Sequence, residues 1–299
     1  MTASIETFRA ALPHDIALSC RAAGPRGAPV LLFLHGFPQG AFIWDELMTR
    51  FATHFRCVAP NLRGYADSSA PPEVPAYRSK PLVQDLAALI EQLGAPVAAT
   101  VAHDWGGAAA WTLGVQRPEL LARLVILNSP HPGAFLRELQ GSAAQQAASA
   151  YMNFLVRPDA EALLAQDDYA RMWPFFEQIG AAPGRAGWLT PAVKERHREV
   201  WRRGLTGPLN YYRASPLRPP TPGDPGARDI RLDPAQVTVR VPTTVVWGEA
   251  DRALLPGLLD GLEQWVPQLT LVRVPDAGHW IVHEQPQRVA QEIEDALAR

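Results

Sequence analysis

The 299-residue sequence predicts an α/β fold, a mostly parallel sheet flanked by helices with a helical cap inserted into it. Three observations point there. Short runs of consecutive apolar residues recur along the chain, as strands covered on both faces require. Segments with helical spacing separate them, which is the rhythm of βαβ units and of parallel pairing. That rhythm stops between 131 and 230, where helix formers, Trp and Phe dominate, and strand-like sequence resumes at 237.

The elements follow in order. Strand-like runs are DIALSC (15–20), VLLFLH (30–35), RCVAP (56–60), VAATVAH (97–103), LVILN (124–128), TTVVWG (243–248) and TLVRVP (270–275). AFIWDELMTRFATHF (41–55) has helical spacing. SKPLVQDLAALIEQLG (79–94) sets Leu82, Leu86, Leu89, Ile90 and Leu93 on one stripe, with Ser79 as the expected cap and Gly94 as the stop. A further helix is expected over 106–117. The inserted stretch contains RMWPFFEQIG and ends in a Pro/Gly-dense connector, SPLRPPTPGDPGARD (215–229). The expected organisation is a core of residues 1–130 and 231–299 and a cap of residues 131–230, without internal repeats.

Composition narrows the function classes. A net charge of −2 argues against a polyanionic partner such as nucleic acid, and the apolar runs are too short to span a bilayer. KERHREVWRR (194–203) carries mixed charges and reads as a solvated helix face. The opening MTASIETFRAALPHD lacks the apolar stretch of a signal peptide, so a cytoplasmic location is expected. Cys20 and Cys57 fall in strand-like runs without metal-ligand spacing and read as buried reduced thiols. Lys80 and Lys194 are the lysines of a chain whose basic residues are nearly all Arg, consistent with a GC-rich bacterial genome. Neither a metal-site spacing nor a glycine-rich dinucleotide fingerprint is present, and no cofactor is expected.

The stretch VAHDWGGAAAW (101–111) takes a buried strand into an Ala-rich helix through a carboxylate and two glycines. Burying an unpaired carboxylate is costly, so Asp104 needs a chemical reason. Ala102-His103-Asp104-Trp105-Gly106 has the small-x-nucleophile-x-small spacing of a nucleophile elbow, a turn too sharp for bulky flanks. Helix N–H groups and the helix dipole favour an anion there. An N-cap aspartate would fit the same position. Other motifs shift the balance. HGFPQ (35–39) directly follows a strand and offers the Phe37 N–H as an oxyanion donor beside that of Trp105. VVWGEADRALLP (245–256) ends a strand with acids, and VPDAGHWIVHEQP (274–286) sets His279 in the loop after the last strand. Nucleophile, acid and histidine in that order are the order of α/β-hydrolases.

With HGFPQ, RGYADS (63–68), HDWGG, LNSPHPGAF (127–135), WGEAD and AGHW, the sequence resembles the α/β-hydrolase-fold epoxide hydrolases over nearly its whole length. The resemblance implies Asp104 as nucleophile, Asp251 as acid and His279 as base. It also implies cap tyrosines on the epoxide oxygen, matched by SAYMNFL (149–155) and GPLNYYRA (207–214) as Tyr151 and Tyr212. His35, Pro38 and Trp105 are then expected at the substrate, a small hydrophobic epoxide that reacts with water. His35 and His103 read as hydrogen-bonding supports rather than bases, and His131 as an anchor of the cap. Glu249 is the second choice for the acid, while Asp67, Asp276 and His283 read as loop or surface groups. Trp173, Phe175, Phe176 and Trp188 are expected to fold over the pocket.

An epoxide has a poor leaving group, so its opening calls for a nucleophile behind carbon and a proton donor at oxygen. Aspartate suits this because its alkyl ester has a carbonyl for water to attack, whereas the ether formed by serine could not be hydrolysed. Two other readings remain open. Haloalkane dehalogenases share the carboxylate mechanism, but their turn often holds an Asn halide ligand where this chain has Phe37. Fluoroacetate dehalogenases carry arginines where this chain has Trp105 and Ala108. A ligand-binding relative without turnover is the third reading, set against a complete Asp-Asp-His set.

Overall fold

The computed structural model describes residues 4–94, 96–182 and 184–299. Its strands are β1 (Glu6–Ala11), β2 (Ala17–Ala23), β3 (Val30–Leu34), β4 (Arg56–Pro60), β5 (Ala99–His103), β6 (Leu124–Leu127), β7 (Thr243–Gly248) and β8 (Leu269–Val274). They form an 8-stranded sheet in the order β1-β2-β4-β3-β5-β6-β7-β8. β2 runs antiparallel to β1 and β4, and the other pairings are parallel.

β3, β5, β6 and β7 are buried at every residue, which explains why their sequence is mostly apolar, with Thr100, His103, Thr243 and Thr244 as buried polar exceptions. Alternate side chains feed two core layers. Leu32, Leu34, Ala102 and Ile126 pack on one face of the sheet, and Leu31, Phe33, Val101 and Val125 on the other. Burying each Leu or Val contributes about 1.5–3 kcal/mol. Cys20 and Cys57 lie in opposite layers as free thiols, and burial pushes each up to about 12.

β1 was not among the expected strands. It is a mostly exposed edge element pairing only with β2, and its polar side chains hide the pattern. Conversely, residues 237–242 form no strand, and β7 starts at Thr243.

The core helices are α1 (Asp45–Phe51), which follows a 3-10 turn at Ala41–Trp44, α2 (Ser79–Leu93) and α3 (Trp105–Gln116). Leu82, Leu86, Leu89 and Ile90 are buried, as their stripe requires. Ser79 is the first helical residue rather than the cap, a role taken by the extended Arg78. Gly94 ends α2 at φ 92°.

Between β6 and β7 come α4 (Pro132–Gly141), α5 (Ala143–Ala148), α6 (Tyr151–Leu155), α7 (Ala160–Tyr169), a π-helical turn (Phe175–Gly180), α8 (Pro191–Trp201) and α9 (Thr206–Ala214). His131 caps α4, accepting the Gly133 N–H, as an anchor at this exit should. Specific bonds tie these helices to the core. Trp201 Nε1 donates to the Pro38 carbonyl at 2.6 Å, the Tyr211 hydroxyl to the Arg63 carbonyl at 2.9 Å, and Arg196 to Asp45 at 2.6 Å. In α8, His197, Val200 and Trp201 are buried while the charged residues pair at the surface, for example Arg202 with Glu195.

After β8 come α10 (Ile281–Glu284) and α11 (Pro286–Ala298). Among the described residues no helix is long and apolar enough to cross a membrane.

Candidate active site

The carboxyl ends of β3, β5, β6, β7 and β8 converge on one corner, where open parallel sheets place their ligands. Asp104 links β5 to α3 with φ 51° and ψ −123°. Its side chain makes no capping bond to α3, so the N-cap reading is set aside. Instead Oδ1 accepts the Phe37 N–H at 2.6 Å. A Cβ at Gly36 would lie 2.1 Å from that oxygen, so the turn after β3 can approach Asp104 only through a glycine. At Gly106 a Cβ would come within 2.5 Å of the Leu34 and His35 carbonyls, so α3 could not start so close to β3.

The other oxygen, Oδ2, lies 3.7 Å from His279 Nε2. On the far side of the ring, Nδ1 is 2.8 Å from Asp251 Oδ2. Asp251 Oδ1 accepts the Ala253 and Leu254 N–H groups at 2.8 and 2.9 Å. With its Oδ1 taken up by these two N–H groups, Asp251 presents Oδ2 as the acceptor of the Nδ1 proton, which leaves Nε2 facing Asp104.

Asn128, at the end of β6, completes the arrangement and was missed in the sequence. It donates to Asp251 Oδ2 at 2.9 Å and accepts the Gly248 N–H at 2.8 Å. Its signal was its place inside the strand-end stretch LNSPHP, one residue before Ser129, whose hydroxyl donates to the Asp104 carbonyl at 2.7 Å. Glu249, the second choice for the acid, pairs with Arg273 at 2.9 Å instead.

Burial pushes Asp104 up, against the pull of His279 and of the Trp105 and Phe37 N–H groups. For His279 burial pulls downward, but Asp251's charge and hydrogen bond, joined by Asp104 and Glu284, carry it above the ordinary histidine value. His103 and His35 are different. Burial holds His103 well below its usual value and His35 at about 4, so both are neutral. His103 Nε2 donates to the His279 carbonyl at 2.8 Å, and His35 Nε2 accepts the Leu62 N–H at 3.1 Å. Both support loops, as expected of them in that role.

A small cavity opens over this corner, lined by Asp104, His279, Phe37, Pro38, Tyr151, Tyr212 and neighbours from the π-helical turn. Tyr151 and Tyr212 stand close together, ring centroids 6.3 Å apart. Burial pushes both phenols above their usual value, so they are protonated donors. Adjacent Tyr211 is directed away, its hydroxyl committed to Arg63.

Other expectations need correcting. His35 and Trp105 are not among the residues lining the cavity, although Pro38 is. His35 is fully buried behind the turn, and the Trp105 ring packs edge-on against Tyr211 and Tyr212. Of the cap aromatics, Phe175 reaches the cavity. Phe176 is buried against Trp280, Trp173 packs on Trp201, and Trp188 stacks on His283 at 4.0 Å. That stacking makes His283 a packed group rather than a free surface one. Asp276 does lie at the surface, paired with Arg185, and Asp67 pairs with Arg203 at 3.1 Å.

Residues 29–286 match the family model for the alpha/beta hydrolase fold. Epoxide hydrolase 3 of Mus musculus is 33% identical over 95% of this chain and 76% of its own length. The chain belongs to the α/β-hydrolase-fold epoxide hydrolase family. The AB hydrolase superfamily protein YfhM of Bacillus subtilis is 34% identical, with 95% of each chain covered. An epoxide hydrolase of Bacillus megaterium, solved with an inhibitor, superposes with a TM-score of 0.87 at 30% identity, covering 98% of this chain and 100% of that one. An epoxide hydrolase from metagenomes of hot environments gives 0.86 at 36%, covering 98% and 99%.

Proposed function

We propose that this enzyme opens an epoxide to a vicinal diol through an alkyl ester on Asp104. The observation that supports this best is the division of labour at the carboxylate. Oδ1 is tethered to the Phe37 N–H, while Oδ2 is the oxygen nearest His279, on a residue that lines the cavity. In the first step Oδ2 attacks an epoxide carbon, that carbon's bond to the ring oxygen breaks, and the alkoxide takes a proton from Tyr151 or Tyr212. In the second, His279 Nε2 removes a proton from water, which attacks the ester carbonyl carbon. The oxyanion on Oδ1 meets the Phe37 and Trp105 N–H groups, each donor worth about 3 kcal/mol. Collapse breaks the carbonyl carbon's bond to the alkyl oxygen. One water proton leaves on the second hydroxyl, and the proton on His279 returns to the phenolate.

Electrostatics favour this sequence. Esterification removes the Asp104 charge, one of the influences that raise His279, so the imidazole is more readily neutral when a base is needed. The acid limb of the hydrolysis step therefore lies below where the resting-state environment of His279 would set it.

A single turnover in ¹⁸O-water tests the reading. Label is expected in the Asp104 carboxyl, with the first diol unlabelled. Label appearing directly in the first diol would mean that water attacks the epoxide itself. Styrene oxide run beside fluoroacetate and a bromoalkane separates diol formation from halide release and so tests the dehalogenase alternative. Tyr212→Phe is expected to slow ring opening about tenfold or more while ester hydrolysis changes little. An unchanged alkylation rate in stopped-flow fluorescence would remove Tyr212 from the site.

A further inference from the structure

The loop carrying His279 is joined to the roof of the cavity along a narrow seam. His279 N–H donates to the Gly180 carbonyl at 2.7 Å, at the end of the π-helical turn whose Phe175, Ile179 and Gly180 line the cavity. A Cβ at Gly278 would lie 2.4 Å from that carbonyl and 2.5 Å from the Ala182 nitrogen, so the two backbones touch. Glu284, the last residue of α10, bridges the seam. Its Oε2 accepts the Gly278 N–H at 2.5 Å, and its Oε1 accepts the Ala182 N–H at 3.1 Å. One carboxylate thus holds the residue before the proposed base with one oxygen and the roof with the other.

A carboxylate accepting two backbone N–H groups is a strong, geometrically specific clamp, each such bond contributing more than a neutral one. The Arg185–Asp276 pair closes the outer rim of the same seam at 2.6 Å. Asp251, Asp104 and His103 face His279 from the core side, with His283 beside the last of these.

We propose that Glu284 is a positioning residue for His279, locking the base loop to the cavity roof and so holding the imidazole in its aim. The idea rests on His279 acting as the base in the reaction above. Glu284 also contributes to the negative field on the imidazole, alongside Asp251 and Asp104. Neutralising it has a signature that loss of packing lacks, a shift in the pH dependence of the step that His279 catalyses.

The test is single-turnover kinetics of wild type, Glu284→Gln and Glu284→Asp with styrene oxide, from about pH 5 to 9. In Glu284→Gln, ester hydrolysis is expected to slow about tenfold and its acid limb to move down by about half a pH unit, while alkylation stays within about twofold. Glu284→Asp keeps the charge but shortens the reach, so hydrolysis slows with the acid limb in place. If Glu284→Gln does not fold, Glu284→Asp carries the test through its slowed hydrolysis alone. A hydrolysis rate and acid limb matching wild type in the folded variants overturn the proposal. Failure of the underlying reading looks different, since wild type would then form no alkyl-enzyme or His279→Gln would hydrolyse it normally.

Discussion

His279→Gln is expected to carry out ring opening and then stall, giving one equivalent of alkyl-enzyme per active site and little diol. The reason lies in geometry. Alkylation needs Asp104 Oδ2, the tyrosine hydroxyls and a cavity, none of which depends on an imidazole. Hydrolysis of the alkyl ester needs a base facing it, and Nε2, 3.7 Å from Oδ2, is placed to deprotonate water there. A general base contributes about 10²–10⁴-fold, so steady-state turnover should fall by that factor. The acid limb of hydrolysis should vanish with it. The sign follows from the direction of the shift. Asp251's charge and hydrogen bond still raise His279 in the alkyl-enzyme, whereas the Asp104 contribution is lost on esterification, and the neutral imidazole is the proposed base, so wild-type hydrolysis falls as pH drops through an imidazole value below the resting one. Intact-protein mass spectrometry after mixing with styrene oxide detects the adduct, and its failure to accumulate would overturn the assignment.

Asp104→Asn is expected to abolish both steps, with no adduct, no burst and a loss of about 10⁴-fold or more. An amide oxygen can still accept the Phe37 N–H, so the turn after β3 is retained and circular dichroism should be unchanged. The amide lacks the charge that the proposed attack by Oδ2 requires. Residual diol formation within about tenfold of wild type would mean that chemistry runs through another group.

Much of this was legible in the residues because the informative signals are local. Consecutive apolar runs marked β3, β5, β6 and β7, whose residues must be buried on both faces. The elbow around Asp104 was readable because the turn tolerates small residues only at fixed positions, and Gly36 and Gly106 show how little room there is. What escaped was non-local. β1 is stabilised by pairing along an exposed edge, which leaves no apolar pattern. Asn128 and Glu284 act on residues far away in the chain, Gly248 and Ala182 among them, and no spacing rule connects those positions. His35 and Trp105 were expected at the substrate from the family resemblance. His35 is instead buried behind the turn, and the Trp105 ring packs against Tyr212, which itself lines the cavity.

The backbone at Asp104, at φ 51° and ψ −123°, occupies a region that suits glycine and costs other residues about 1–3 kcal/mol. Heat-resistance screening that ignores turnover would therefore drift toward glycine at that position and discard the proposed nucleophile along with the strain. Any thermostabilising library on this scaffold has to hold residue 104 fixed and seek its gains elsewhere.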